Sequence, residues 1–223
     1  NLLDTTKKKE NNFFKKNINL DFNLEKVYLD EIYFVKDMKG NLKIENNNIV
    51  YTDILASFDN KNKISFTIKT NDQGEKITTL FSAKSKPLVN RYKFIKGFSD
   101  DKEGYLDFYS LKKNGVSNSK LIIDNFKVKE IPALPKLLAL ASLQGISDLL
   151  TGEGIRFTDF EMKFTNKNNI MRIDELYAVG PAISILLEGY IEEENLISVR
   201  GTLVPATTIN RSIASIPLLG DLL

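Results

Sequence analysis

Three short stretches decide how this sequence folds: INLDFNL at residues 18–24, VYTDILASF at residues 50–58 and ISFTI at residues 64–68. In each stretch the apolar side chains recur mainly at every second position. Successive side chains of an extended strand point to opposite faces, whereas a helix repeats its apolar face every three or four residues. The alternation therefore predicts three β-strands, each with one apolar side.

Polar segments follow or separate these strands, at Lys39–Asn41, Asn46–Asn48, Asp59–Asn62 and Asn71–Gly74. They are rich in Gly, Asn and Asp, which tolerate the positive φ angles of tight turns. Short strands joined by tight turns predict an antiparallel meander over the first part of the chain.

The dipeptide Asn114-Gly115 marks a hairpin. It lies between two strand-like segments, Tyr105–Lys112 and Val116–Lys129. Asn-Gly is the dipeptide that best supports a two-residue type I′ turn, because both of its residues accept positive φ. We therefore predict a β-hairpin centred on this dipeptide.

Strand patterns resume in the last third of the chain, at Ile155–Phe164, Ile170–Val179, Ala182–Ile191 and Leu196–Val204. In the first of these the apolar positions move by one residue part-way along. Such a change of phase predicts a β-bulge near Asp159.

Helical signals are few. Pro87 precedes a possible short helix at Leu88–Lys96, and Leu137–Leu150 repeats its apolar residues at intervals of three and four. A third segment, Thr208–Leu223, reads as a short helix interrupted by proline. We predict a mainly β fold: an antiparallel meander that forms a curved, groove-like sheet, with one or two short helices packed at its edge or end.

The composition excludes several classes of chemistry. The 223 residues include no Cys, no His and no Trp, so His-activated nucleophiles, thiolate catalysis, zinc sites built on Cys or His, and disulfides are all ruled out. The 31 basic and 29 acidic side chains leave a net charge of +2, which argues against a nucleic-acid partner. We expect no catalytic residue, no metal and no cofactor.

Clusters of charge or glycine have simple structural explanations. The acidic runs Asp100–Glu103 and Glu192–Glu194 fall in predicted turns, and the lysines of residues 7–16 in a polar terminus. The glycines of Thr151–Gly154 follow a predicted helix, whereas a phosphate-binding loop needs them before one. We interpret these groups as solvated loops and a helix end.

The chain begins at Asn1, with no signal peptide, and we expect it to be a piece of a longer protein. Its richest apolar stretch, Ile131–Leu150, is interrupted by prolines and charges, so we expect no membrane span here.

The alternating apolar rows allow two interpretations, and periodicity does not separate them. They are either the inner face of a closed sandwich or barrel, or a concave apolar groove for hydrocarbon, which would gain about 0.8 kcal/mol for each buried methylene. Under the second interpretation the candidate groove-lining residues are Leu20, Phe22, Leu24, Val50, Ile54, Phe58, Ile64, Phe66, Ile68, Phe160, Met162 and Phe164.

Several short motifs follow one another in the second half of the chain. They are the strand Leu121–Phe126, the segment Ile131–Leu150, the glycines and strand of Gly152–Phe157, and then Gly180–Ser184, Gly189–Ile191, Gly201–Pro205 and Ile216–Gly220. In this order they resemble the C-terminal region of AsmA-like proteins of the YhdP/TamB type. The resemblance covers about Leu88 to Leu223.

The resemblance implies a segment of a bridge-like lipid-transfer protein of the bacterial envelope. Such a protein is anchored in the inner membrane, reaches across the periplasm, and carries phospholipid in a groove of repeated β units between the inner and outer membranes, with possible envelope-protein partners at either one. It also implies two continuous parts, a β-meander groove segment at residues 1–86 and an AsmA-like C-terminal region at residues 87–223. The alternatives are a structural scaffold with a closed β core and, less favoured, a carboxylate-dependent hydrolase.

Overall fold

A computed structural model describes residues 17–92, 95, 97–99, 104–129, 154–192 and 196–205. The described residues form β-strands and one short helix. In chain order these elements are β1 (Ile18–Tyr28), β2 (Phe34–Glu45), β3 (Asn48–Ser57), β4 (Lys63–Thr70), β5 (Lys76–Ser82), α1 (Lys86–Tyr92), β6 (Phe98–Ser99), β7 (Leu106–Lys113), β8 (Val116–Val128), β9 (Ile155–Lys167), β10 (Ile170–Val179), β11 (Ile183–Glu192) and β12 (Leu196–Pro205).

All twelve strands belong to one antiparallel sheet. Its order follows the chain from β1 to β12, except that the short β6 lies off this path and pairs with β8. Within the described ranges β1 and β12 each pair on one side only, so they are the two edges of an open sheet. The predicted antiparallel meander with a groove-like, open sheet is confirmed.

The hairpin at Asn114-Gly115 is also confirmed. It joins β7 to β8, and its two central residues have φ of 50° and 78°, as a type I′ turn requires. Asn46-Asn47 between β2 and β3 and Asn168-Asn169 between β9 and β10 have positive φ in the same way. Asparagine tolerates this conformation, so the sequence could fix these tight connections locally.

The predicted turn at Lys39–Asn41 is wrong, because these residues lie inside β2. Gly40 pairs with Phe22 on one side and with Ile54 on the other. A Cβ atom on Gly40 would lie 2.5 Å from the backbone oxygen of Asp53 and 3.0 Å from the Phe22 ring. Glycine is needed here because neighbouring strands approach closely. A single sequence does not distinguish a glycine required by such packing from a glycine required by a turn.

The change of phase in β9 differs from the predicted bulge near Asp159. Asp124 pairs with Asp159 and Phe126 pairs with Phe157, so the register between β8 and β9 is the same before and after the change. Asn125, between these pairs, has φ of 45°. Both strands therefore change phase together, which keeps the pairing and leaves Phe126 and Phe157 in the same buried cluster as the residues before them.

Helix α1 begins at Lys86, two residues before the predicted start at Leu88. The backbone oxygen of Ser85 accepts the amides of Leu88 and Val89, and Pro87 occupies the first turn, where its missing N–H costs nothing. Leu88 and Val89 are buried against the sheet. The helix therefore acts as a cover for the middle strands.

The other two predicted helices, at residues 137–150 and 208–223, lie outside the described residues. Among the residues that the structure describes, no helix has the length and apolar character needed to cross a membrane.

Candidate functional site

The strand pairing places the apolar alternations of successive strands on one face of the sheet. Phe22 pairs with Gly40, Gly40 with Ile54, and Ile54 with Phe66. Directly opposed residues of antiparallel strands share a face. We call this side of the sheet the apolar face, and the other side the opposite face.

One row on the apolar face crosses the whole sheet without a polar side chain. Its members are linked by consecutive cross-strand pairs, one residue from each strand between β1 and β12 apart from β6. This central row consists of Phe22, Gly40, Ile54, Phe66, Leu80, Phe108, Leu121, Met162, Leu176, Leu187 and Gly201.

The central row is long enough to hold several acyl chains. Neighbouring strands lie about 4.8 Å apart, so a row through eleven strands extends roughly 48 Å. One leaflet of a bilayer has a hydrocarbon thickness of only about 15 Å. The row runs perpendicular to the strands, which is the direction in which a sheet of this kind can be extended by further strands.

The rows on either side of the central row differ in chemistry. On one side the face stays apolar in the middle of the sheet, where Leu106, Ile123 and Phe160 are linked pairs. On the other side lies a row that includes the hydroxyl residues Thr52, Thr78, Ser110 and Ser119. The central row is therefore bordered by hydrocarbon on one side and, in the middle strands, by hydroxyl groups on the other.

Strand pairing places ten of the twelve predicted groove-lining residues on the apolar face, the exceptions being Val50, at a register shift between β2 and β3, and Phe58. The β1 residues Leu20 and Leu24 are 48% and 45% exposed, whereas Ile68 and Phe160 are buried. Phe58 follows the end of β3, where its amide bonds the backbone oxygen of Asn62. The remaining predicted residues, all partly buried, are Phe22, Val50, Ile54, Ile64, Phe66, Met162 and Phe164.

Sequence patterns missed several members of the face. Neither β2 nor β5 was among the predicted strands, because Gly40 interrupts the alternation in one and the threonines of KITTLFS weaken it in the other. The strands β7, β8, β10 and β11 were predicted, but their apolar residues were not assigned to the groove. The missed residues of the central row are Leu80, Phe108, Leu121, Leu176 and Leu187.

A local cover closes the middle of the apolar face. Leu88 and Val89 of α1 and Phe98 of β6 belong to one buried cluster with residues of β7, β8 and β9. Phe98 stacks on Phe126 with ring centroids 5.1 Å apart, and Phe126 meets the edge of Phe160 at 6.0 Å. The row of Leu106, Ile123 and Phe160 beneath this cover is a dry protein core and is not available to a ligand. The central row beside it is only partly buried, apart from Leu121.

The opposite face carries a network of ion pairs. Glu161 bonds Lys120 at 2.9 Å and the Tyr177 hydroxyl at 2.9 Å, and Lys163 bonds Glu175 at 2.8 Å. Partial burial raises the pKa of Glu161. The hydrogen bonds from Lys120 and Tyr177 outweigh this effect, so the pKa lies below its usual value. These charges satisfy one another, which is typical of a solvated structural face.

The acidic clusters of the sequence do not form a catalytic or metal site in the described residues. Glu192 is exposed at the end of β11, while residues 193–194 and 100–103 lie outside the described part of the chain. No group of three or more His, Cys, Asp or Glu among the described residues is arranged to hold a metal ion.

Comparison with protein-family models, with curated proteins and with solved structures finds no match for this chain. The apolar face itself is therefore the main guide to function.

Proposed function

We propose that this chain binds phospholipid acyl chains on the apolar face and conducts them along the central row. The observation that carries the proposal is the unbroken apolar row from β1 to β12. An apolar face that continues beyond its cover needs a nonpolar occupant, since exposed apolar patches of this extent usually mark binding surfaces.

The expected energy of binding is sufficient without a polar contact. Each buried methylene contributes about 0.8 kcal/mol, so an acyl chain that buries about ten methylenes gains about 8 kcal/mol before entropic costs are subtracted. Mixed Leu, Ile, Phe and Met side chains offer no hydrogen bonds that would fix the chain at one position. Hydrocarbon can therefore slide between equivalent contacts.

Transport along the row would be passive. The row offers similar apolar surroundings from strand to strand, and a surface with equal affinity along its length shifts no equilibrium. The direction of net flow would have to come from the membranes or from other proteins. Catalytic residues are not required by this mechanism.

We place this activity in the bacterial envelope, as the periplasmic part of a protein anchored in the inner membrane. The support is the resemblance of the ordered motifs to AsmA-like proteins of the YhdP/TamB type. Gly201–Pro205 is one of these motifs and forms the end of β12, an open edge of the sheet. An open edge suits a unit that continues into further strands of a conduit between the two membranes.

The alternative is a non-catalytic scaffold whose apolar faces close on each other. A closed core of that kind needs a second apolar sheet face opposite the first. The described strands instead form a single open sheet, with a cover only over the middle strands. The geometry therefore favours hydrocarbon binding, and the absence of any bound lipid would favour the scaffold.

Mass spectrometry of an organic extract from natively purified protein tests the proposal. We expect phospholipid to co-purify with the wild type, and the Phe22→Asp variant to lose most of it, because the new carboxylate lies on the central row. Asn23→Asp is the matched control, since it places the same group on the exposed opposite face of the same strand.

Two results would contradict the proposal. One is wild-type protein that carries no lipid and takes none up from vesicles. The other is a Phe22→Asp variant that melts at the wild-type temperature and retains as much lipid as Asn23→Asp.

A further inference from the structure

Two lysines face each other at the end of the middle strands, on the apolar face. Lys76 of β5 and Lys112 of β7 are direct cross-strand partners. Moving along the strands, the next pair on this face is Thr78 with Ser110, and the one after it is Leu80 with Phe108. The lysine pair thus lies two rows from the central row.

The lysine pair has no protein counter-ion in the described part of the chain. The neighbouring carboxylate, Glu75, bonds Lys113 at 2.6 Å and the Asn71 amide at 3.0 Å instead. Both Glu75 and Lys113 are one residue out of phase with the lysine pair, and so belong to the opposite face. Like charges directly opposite each other on a sheet are destabilising, so this arrangement requires a reason.

The surroundings of Lys76 increase the cost of its charge. Partial burial, and then the positive charge of Lys112, lower the pKa of Lys76 below its usual value. An anion bound between the two ammonium groups would remove the repulsion and offset the loss of water. The geometry therefore suits an anionic ligand with the lysines as its two donors.

Hydroxyl groups fill the space between the cations and the hydrocarbon row. Thr78, Ser110 and Ser119 form the intermediate row, and the Ser119 hydroxyl lies 2.9 Å from that of Ser110. Rows on one face of a strand are about 7 Å apart, so cation, hydroxyl and hydrocarbon succeed one another over about 14 Å. A phospholipid presents the complementary sequence of phosphate, ester oxygens and acyl chains.

We propose that Lys76 and Lys112 bind the phosphodiester of a phospholipid whose ester oxygens meet the hydroxyl row and whose acyl chains lie on the central row. This site rests on the proposed function, which it deepens by assigning the head-group position. It makes the uncovered part of the apolar face at β5 and β7 a station with preference for an anionic head group.

A second pair of opposed lysines lies on the opposite face, because Lys36 pairs with Ser57, the neighbour of Ala56 on the apolar face, and this pair lacks these features. Lys26 and Lys36 are cross-strand partners at the other end of β1 and β2. The Lys26 ammonium lies 4.1 Å from the centre of the Phe34 ring and 4.6 Å from that of Tyr28. Its charge already has aromatic partners.

The test compares the Lys76→Gln/Lys112→Gln double variant with wild type. Delipidated protein is titrated with phosphatidylglycerol and with diacylglycerol of the same acyl chains, both in mixed micelles of the same nonionic detergent. We expect wild type to prefer phosphatidylglycerol, and the double variant to bind it about tenfold or more weakly while binding diacylglycerol as wild type does. The matched control is Lys39→Gln/Lys69→Gln, which removes the same charge from exposed positions of the opposite face.

The outcomes separate the two proposals. A double variant that keeps the wild-type preference overturns the head-group site and leaves the proposed function standing. An equal loss of phosphatidylglycerol affinity in the control variant has the same consequence, because it would indicate an effect of overall charge. Wild type that binds neither lipid overturns both. If inorganic phosphate alone binds wild type as tightly as phosphatidylglycerol, the site is for free phosphate and the assignment to a head group is wrong.

Thermal stability gives a readout that does not depend on lipid titration. Without lipid, the double variant should melt at or above the wild-type temperature, because the repulsion between the two lysines is gone. Phosphatidylglycerol should raise the melting temperature of wild type more than that of the double variant. A double variant that melts well below wild type without lipid would show that the lysines have a structural role instead.

Discussion

The middle of the sheet and its first edge share the same rows of residues but differ in what covers them. In β7 to β9, Leu106 and Ile123 are fully buried beneath α1 and β6. In β1, Leu20 and Leu24 belong to the same face and remain nearly half exposed. Alternation in the sequence is equally clear in both regions. The difference shows that an apolar strand face becomes a protein core only where another segment of the chain packs on it.

This comparison predicts different roles for similar side chains. Residues of the middle should govern the free energy of unfolding, while residues of the β1 edge should govern ligand binding with little effect on stability.

The largest expected effect is that of Phe126→Ala. Phe126 is almost fully buried and contacts the rings of Phe98, Phe157 and Phe160. Its truncation should cost about 3–5 kcal/mol of unfolding free energy, measured by urea denaturation. Phe22→Ala, at the half-buried edge, should cost less than about 2 kcal/mol, since the Phe22 side chain buries less apolar area than that of Phe126. Equal costs at the two positions would remove the distinction between the regions.

A smaller effect on stability is expected for Gly40→Ala, which tests whether the strands β1, β2 and β3 at the first edge of the sheet are closely packed. The added Cβ would meet the Asp53 backbone oxygen and the Phe22 ring, so strands must separate at a cost of about 1–3 kcal/mol. Lys39→Ala, on the exposed side of the same strand, should change stability by less than about 0.5 kcal/mol. A Gly40→Ala variant as stable as wild type would show that the edge strands are loosely paired.

Leu24→Ser should separate stability from binding. Because Leu24 is 45% exposed, we expect a loss of less than about 1 kcal/mol in unfolding free energy, together with reduced phospholipid in the native extract. Leu106→Ser, on the same face in the covered middle, should be strongly destabilised. If Leu24→Ser retained lipid at the wild-type level, β1 would not be part of the binding surface.

The smallest effect concerns pH and the opposite face of the middle strands. The folded-state pKa of Glu161 lies below its usual value of 4.5, so its contribution to stability is present above that pH and is lost as the pH falls further, through the folded pKa. Wild type should therefore lose stability relative to Glu161→Gln when denaturation is measured at decreasing pH below about 4.5. Parallel stability curves for the two proteins across this range would mean that the ion-pair network contributes nothing.

Local signals in the sequence were enough for much of the fold. The Asn-Gly dipeptide at residues 114–115 specifies a type I′ hairpin whatever surrounds it, because its backbone preference is intrinsic. The period-two rows in β1, β3 and β4 likewise predicted strands correctly. By contrast, the sequence pattern wrongly predicts a turn at Gly40, since the requirement for glycine there comes from Phe22 and Asp53 on neighbouring strands.

The candidate site was predictable in kind but not in extent. Alternation identified Phe22, Phe66 and Met162 as residues of an apolar face. It did not connect them with Leu80 or Leu187, because continuity depends on the register of each strand pair. The opposed lysines Lys76 and Lys112 were missed for the same reason, since 35 residues of sequence separate two side chains that the pairing of β5 with β7 makes neighbours.

The sequence by itself determined the antiparallel meander, its tight turns and the presence of an apolar side on several strands, because these follow from backbone preferences and from a side-chain period of two. Only the tertiary structure decided that these sides join in one row across an open sheet, that α1 and β6 cover the middle among the described residues, and which polar groups border the row. Register and packing bring together residues far apart in the chain, and no local pattern encodes those distances.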